Sequence, residues 1–174
     1  MIDLKAAIRT VPDFPTKGIM FRDITTLLLN PDAFRTAIDR IEEFGRSRHI
    51  DKILAIESRG FLFGAAVADR LGTGLIPIRK AGKLPGKIIK YEYALEYGTD
   101  TIEIHEDALK KGETVLVVDD LVATGGTLEA ACRLAEKCGA RVGGIAVVID
   151  LAYLPWRKKL QGYDILSLVR YDSE

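Results

Sequence analysis

The stretch Thr114-Val-Leu-Val-Val-Asp-Asp-Leu-Val-Ala-Thr-Gly-Gly-Thr127 constrains this chain more than any other. An apolar, β-branched run ends in two adjacent carboxylates. A loop of small residues follows, and Leu128-Glu-Ala-Ala then reads as the start of a helix. Packing gives no reason to end a buried strand in Asp119-Asp120, because unpaired buried charges are costly. At the carboxyl edge of a parallel sheet such a pair faces the crevice where open α/β sheets take ligands. Consecutive strand residues point to opposite faces, so both carboxylates reach one ligand only where the strand is ending. The Ala123–Thr127 loop offers backbone N–H groups and the hydroxyls of Thr124 and Thr127 at a helix N-terminus, which suits a phosphate. Gly125 and Gly126 allow positive φ and close backbone approach. An acidic pair that accepts from a diol, beside a phosphate cradle, describes a site for a ribose 5-phosphate.

The rest of the chain alternates strands with helices, which implies an α/β fold with a mostly parallel sheet. Asn30-Pro31 marks a helix start, with Asn as cap and Pro at the first helical position. Phe34, Ala37, Ile38, Ile41 and Phe44 then recur at helical spacing to about Gly45. Strands are expected at Ile53–Ile56, Leu75–Ile78, Val115–Val118, Gly143–Ile149 and Ile165–Val169. Helices are expected at Phe61–Leu71, closed by Gly72, and from about Thr127 to Cys138, stopped by Gly139. Residues 80–105 break this rhythm: Gly82, Pro85, Gly86 and Gly98 punctuate a stretch rich in lysine, and Thr101–His105 alternates like an exposed strand. A connection this long inside a compact domain suggests a lid.

Several function classes lose support at once. Lys+Arg and Asp+Glu balance at 25 each, which leaves no basic surface for nucleic acid. No apolar run approaches the ~18 residues of a membrane span, and the N-terminus lacks a signal-peptide stretch, so a cytoplasmic protein is expected. At 174 residues the chain suits a single domain, 1–174. Cys132 and Cys138 lie on different faces of the expected helix and read as small core residues, not as a disulfide or a zinc site. The motifs G-x-x-x-x-G-K-[ST] and G-x-G-x-x-G are both absent, which removes the usual support for triphosphate hydrolysis and dinucleotide redox chemistry.

Val115–Leu128 resembles the phosphoribosyl-pyrophosphate (PRPP) signature of type I phosphoribosyltransferases. Phe14–Thr25, Glu57–Gly64, Arg79–Gly86 and Leu95–Gly98 are similar to segments of the members of that family that act on adenine, in the same order. The resemblance implies a mainly parallel five-stranded sheet flanked by helices, an N-terminal base-binding hood over about 1–30 and a flexible lid hairpin over about 80–105. It implies the Mg²⁺-dependent reaction of adenine with PRPP to give AMP and pyrophosphate. Asp119, Asp120 and Ala123, Thr124, Gly125, Gly126 and Thr127 would hold the ribose phosphate. Ser58 and Arg59 would receive the pyrophosphate, through a loop whose Glu57–Ser58 peptide is often cis in the family.

Arg79, Lys80 and Lys83 would stabilise the leaving pyrophosphate. One such cation is given across a homodimer interface in similar enzymes. Glu96 would handle the base's proton, and with Arg59 and Lys83 forms the expected catalytic group. Phe21 would stack on the purine, the backbone of Met20 and Arg22 would read it, and Leu151 would close its other face. Mg²⁺ would arrive with PRPP, leaving no dedicated metal ligands in the protein. Ala123 favours adenine, because the family's 6-oxopurine enzymes commonly carry Asp there. The same chemistry on xanthine or orotate, or a non-catalytic PRPP-sensing regulator, are the alternatives; few residues precede the first sheet strand, and they are not basic enough for a DNA-binding domain.

Overall fold

Five parallel strands form the centre of the molecule, each where an apolar run places it. The computed structural model describes residues 2–94 and 98–174. In chain order the parallel strands are β3 (Lys52–Ile56), β4 (Gly74–Lys80), β7 (Thr114–Val122), β8 (Arg141–Leu151) and β9 (Ile165–Tyr171). They lie side by side as β4-β3-β7-β8-β9. Alternation along the strands builds a core on each face. Leu54, Ile56, Val115 and Val117 pack with Leu128 and Leu134 of helix α4 (Gly126–Lys137). Ile53, Leu116 and Val118 pack with Ile38 and Ile41 of α2 (Pro31–Arg46) and Phe63 of α3 (Gly60–Leu71). Asn30 caps α2 as expected, its side chain accepting from the N–H groups of Asp32 and Ala33. Cys132 and Cys138 are free thiols, and burial pushes Cys132 up to about 12, so it is an inert core residue.

The lid segment extends this sheet. β5 (Ile88–Ala94) and β6 (Thr99–His105) form an antiparallel hairpin, and β6 pairs antiparallel with β4 through Arg79↔Glu103 and Lys80↔Ile102. The whole sheet therefore has seven strands, five parallel and two added at one edge. The reading of Thr101–His105 as an exposed strand is corrected: Ile102 and Ile104 are buried in the core beneath α4, and Glu103 is buried with its carboxylate accepting the Gly82 N–H at 3.0 Å. Alternation signalled two unlike faces, but both are covered.

The N-terminal hood is a small ribbon of its own. β1 (Arg9–Val11) pairs antiparallel with β2 (Phe21–Asp23), ahead of the short helix α1 (Thr25–Leu29). An Arg9–Asp23 ion pair closes it. The Thr25 hydroxyl and Arg9 together hold the Asp23 carboxyl down at about 2.

Candidate active site

β3 and β7 are neighbours, but the chain leaves them in opposite directions. It goes from β3 through α3 to β4 on one side, and from β7 through α4 to β8 on the other. Their carboxyl ends therefore splay apart at a topological switch point. A cleft of about 440 Å³ opens there, lined by Glu57, Ser58 and Arg59 after β3, by Asp119, Asp120 and residues 123–127 after β7, and by Lys80.

Strand β7 runs to Val122, past the Val118 end expected from sequence. Its pairing with β3 nevertheless stops at Ala55↔Val118, whereas pairing with β8 continues to Val122↔Asp150. Beyond Val118 one edge of β7 is thus open to the cleft, and that edge exposes the acidic pair to a ligand. The approach of α3 is close here: a Cβ on Gly60 would lie 2.8 Å from the Val118 carbonyl oxygen and 3.0 Å from Asp119 Oδ1.

The carboxylates are held in an unfavourable state. Burial, and then the neighbouring Asp120 charge, push the Asp119 carboxyl well above the usual carboxylate range. Burial also raises Asp120, while the Arg59 guanidinium pulls it back down. Arg59 Nε lies 2.9 Å from Asp120 Oδ2, yet no aligned hydrogen bond reaches that buried oxygen. Asp119 Oδ1 accepts the Asp120 N–H at 2.8 Å. The pair has acceptor capacity to spare, which suits hydroxyl donors from a ligand.

The small-residue loop turns at Gly125, whose φ of 78° is left-handed and which caps α4. Gly126 is already helical, and a Cβ on it would make only ordinary contacts at 3.7 Å. Positive φ was expected to be available at both glycines; only Gly125 uses it. Thr127 Oγ1 sits 3.2 Å from the Tyr93 hydroxyl, which also donates to Asp100 Oδ2 at 3.2 Å. Lys80 Nζ bonds the same Asp100 oxygen at 3.0 Å.

The other cations converge on Glu57. Its carboxylate accepts from Arg79 Nε at 3.1 Å, from the Lys80 N–H at 2.8 Å and from Lys83 Nζ. Burial alone would raise the Glu57 carboxyl, but the hydrogen bonds from Lys83, Lys80 and Arg79 hold it at about 2. The Glu57–Ser58 peptide is cis. Arg79 and Lys83 therefore stand beside the cleft, tied to Glu57, and do not line it.

A second recess, also about 440 Å³, lies under the hood between Val11, Phe14, Phe21, Ile24 and Arg59. Arg59 lines both recesses and lies 5.7 Å from the Phe21 ring centroid. Met20 is half-buried next to Phe21. The Arg22 side chain turns away, donating to Thr10 Oγ1 at 2.6 Å and stacking on Tyr171 at 4.0 Å. Leu151 packs partly buried against the core beneath α2 and α3 and lines neither recess. Glu96 lies outside the described residues.

Residues 25–163 match the family model described as a phosphoribosyl transferase domain. The chain belongs to the phosphoribosyltransferase family. An adenine phosphoribosyltransferase of Thermotoga maritima is 54% identical over 170 residues, 98% of each chain. The crystal structure of the adenine phosphoribosyltransferase from Thermoanaerobacter pseudethanolicus is similar at a TM-score of 0.92 and 50% identity, over 97% of this chain and 98% of that one. That of Saccharomyces cerevisiae, complexed with an imino-altritol bisphosphate and adenine, is similar at 0.89 and 42%, over 95% and 96%.

Two features of this phosphoribosyltransferase site have no counterpart in the sequence reading. One is the Glu57 clamp on Arg79 and Lys83. The other is Trp156, whose Cβ would lie 3.1 Å from a Cβ on Gly125. Both depend on contacts 22 to 31 residues apart in the chain, which no local pattern signals.

Proposed function

We propose that this chain is an adenine phosphoribosyltransferase, a pentosyltransferase that converts adenine and PRPP into AMP and pyrophosphate for purine salvage. The observation that carries the reading is the position of Arg59, which joins the acidic pair and phosphate loop in one recess to the aromatic hood in the next. A ribose phosphate in the first recess and a flat base in the second would meet beside it.

In this reading Asp119 and Asp120 accept from the ribose hydroxyls, and residues 123–127 hold the 5′-phosphate with backbone N–H groups and the Thr124 and Thr127 hydroxyls. Ser58, Arg59 and Lys80 face the pyrophosphate. Arg79 and Lys83 join them by exchanging Glu57 for its oxygens, so the charge of the leaving group is met as it develops. The base N9 attacks the anomeric carbon through an oxocarbenium-like transition state, and the enzyme's contribution is mainly positioning and charge stabilisation. Phe21 stacks on the base, with the backbone of Met20 and Arg22 at its edge and Leu151 brought to its other face. Glu96 takes the base's proton.

Among the described residues no three His, Cys, Asp or Glu side chains gather to hold a metal. The donor set fits a Mg²⁺ carried in on PRPP, with substrate oxygens and water as its ligands near the Asp119–Asp120 pair. When bound, the ion would supply Lewis-acid relief of the pyrophosphate charge.

One sheet with a core on each face supports reading 1–174 as a single domain. None of the described helices is long and apolar enough to cross a membrane. A cytoplasmic homodimer without nucleic-acid partners belongs to the same proposal. Incubation with adenine, PRPP and Mg²⁺ tests it: AMP and pyrophosphate should appear in equal amounts, and release of pyrophosphate without AMP would refute base transfer.

A further inference from the structure

A short 3-10 turn, Trp156–Lys158, follows β8 and packs behind the phosphate loop. None of the chemistry above uses it. Trp156, 2% exposed, donates its indole N–H to Asp150 Oδ1 at 2.7 Å. Asp150, 1% exposed at the end of β8, also receives Arg157 on Oδ2 at 3.0 Å. A buried carboxylate with both oxygens engaged holds the indole in one orientation. The effect reaches the loop at the residue where its geometry is most demanding. A Cβ on Gly125 would lie 3.1 Å from Trp156 Cβ and 3.3 Å from the Trp156 carbonyl oxygen, so the turn and the left-handed glycine are in direct contact.

Three residues on, Lys159 presents a charge. Its ammonium stands 3.7 Å from where a Cβ on Gly126 would begin, over the first residue of α4. Its backbone N–H donates to the Trp156 carbonyl at 3.0 Å, so the base of the lysine stem is fixed by the same tryptophan. The 123–127 loop carries no cation. A helix N-terminus supplies the equivalent of roughly +0.5 charge, whereas a phosphate monoester brings about −1.5 to −2 at neutral pH. The cradle alone leaves most of that charge unmet, and Lys159 has the right sign and position to meet it.

We propose that Lys159 binds the 5′-phosphate of the sugar-phosphate substrate, and that Trp156, anchored by Asp150, is a positioning residue for both Lys159 and Gly125. This rests on the assignment of residues 123–127 as the phosphate loop, so the test separates the two.

Calorimetric titration with ribose 5-phosphate, and separately with pyrophosphate in the presence of Mg²⁺, compares the parent with Lys159→Ala, Lys159→Arg, Trp156→Phe and Thr127→Ala. Lys159→Ala should weaken ribose 5-phosphate about tenfold, the lower end for a charge-assisted contact at an exposed side chain. Pyrophosphate affinity should not change, Lys159→Arg should recover most of the loss, and added salt should narrow the gap. Trp156→Phe keeps an aromatic side chain but removes the indole N–H, and should weaken ribose 5-phosphate but not pyrophosphate. If that variant fails to fold, the lysine pair still decides. Parental ribose 5-phosphate affinity in Lys159→Ala, with a loss in Thr127→Ala, would overturn the proposal and leave the loop assignment standing. Parental affinity in both variants would overturn the two together. Equal weakening of ribose 5-phosphate and pyrophosphate by Lys159→Ala would indicate general damage to the fold and also overturn it.

Discussion

Replacing Asp119 by Asn should separate ligand binding from stability, moving them in opposite directions. Asn keeps the shape and keeps Oδ1 as acceptor for the Asp120 N–H, now 2.8 Å away. It removes the negative charge that makes the hydrogen bond to a ribose hydroxyl strong. A charge-assisted bond is worth roughly 1.5–3 kcal/mol, so PRPP should bind about 10- to 150-fold more weakly. The unliganded protein should gain stability. Burial and the Asp120 charge raise the Asp119 carboxyl in the folded state, so ionising it there costs more than in the unfolded chain. That cost is absent below the unfolded pKa and grows as pH rises above it, so the neutral Asn removes a penalty that is present at pH 7. Each ~1 kcal/mol recovered should raise the melting temperature by about 2–4 °C in a chain of this size. Thermal melting at pH 7 without ligand, beside PRPP titration, reads both effects. A variant that melts lower than the parent and binds PRPP as well would show that the pair is a structural turn.

Other perturbations reach other parts of the site. Gly125→Ala should cost about 1–2 kcal/mol from its left-handed backbone alone, with the 3.1 Å contact to Trp156 in addition, and should weaken ribose 5-phosphate far more than Gly126→Ala. Equal binding by the two variants would remove Gly125 as the turn of the cradle. Glu57 is held at about 2 against a usual 4.5, so its contribution to stability is complete above pH 4.5 and lost toward pH 2. Glu57→Gln should therefore melt below the parent at neutral pH, with the gap closing across that window; a gap that ignores pH would mean the clamp is not ionic. Glu96→Gln should lower kcat on the order of 10²-fold with PRPP affinity kept, as single-turnover kinetics at saturating PRPP would read. A parental chemical step would shift attention to Glu92 on β5, since Glu103 is buried and bonded to Gly82.

Where a feature rests on neighbours in the chain, the sequence is enough to read it. Asn30-Pro31 caps a helix because the cap and the N–H groups it satisfies are two and three residues apart. The five parallel strands follow from apolar runs bounded by turn residues, and the acidic pair with its loop falls within one continuous stretch. Features that depend on a distant partner were not legible. The expected end of β7 at Val118 is where β3 stops pairing, but β8 carries the strand four residues further. Residues 80–105 read as a lid from their length and their punctuation by Gly82, Pro85, Gly86 and Gly98, but the anchoring of β6 in the core by Ile102 and Ile104 depends on distant partners. The hood motif sets Arg22 beside Phe21 on β2, while its side chain answers to Tyr171 at the other end of the chain. Leu151 is the last residue of β8, two past the Ile149 end expected from sequence, and its burial is decided by the helices that cover that face.

The central claim concerns which base is joined to the ribose phosphate, and a competition of bases for PRPP tests it most directly. Equal concentrations of adenine, hypoxanthine, guanine, xanthine and orotate, supplied with limiting PRPP and Mg²⁺, would be scored by the nucleotide formed from each. AMP should dominate, because Ala123 provides no carboxylate for a 6-oxopurine and the hood around Phe21 offers a largely apolar recess. Xanthine or orotate converted faster than adenine would contradict the account.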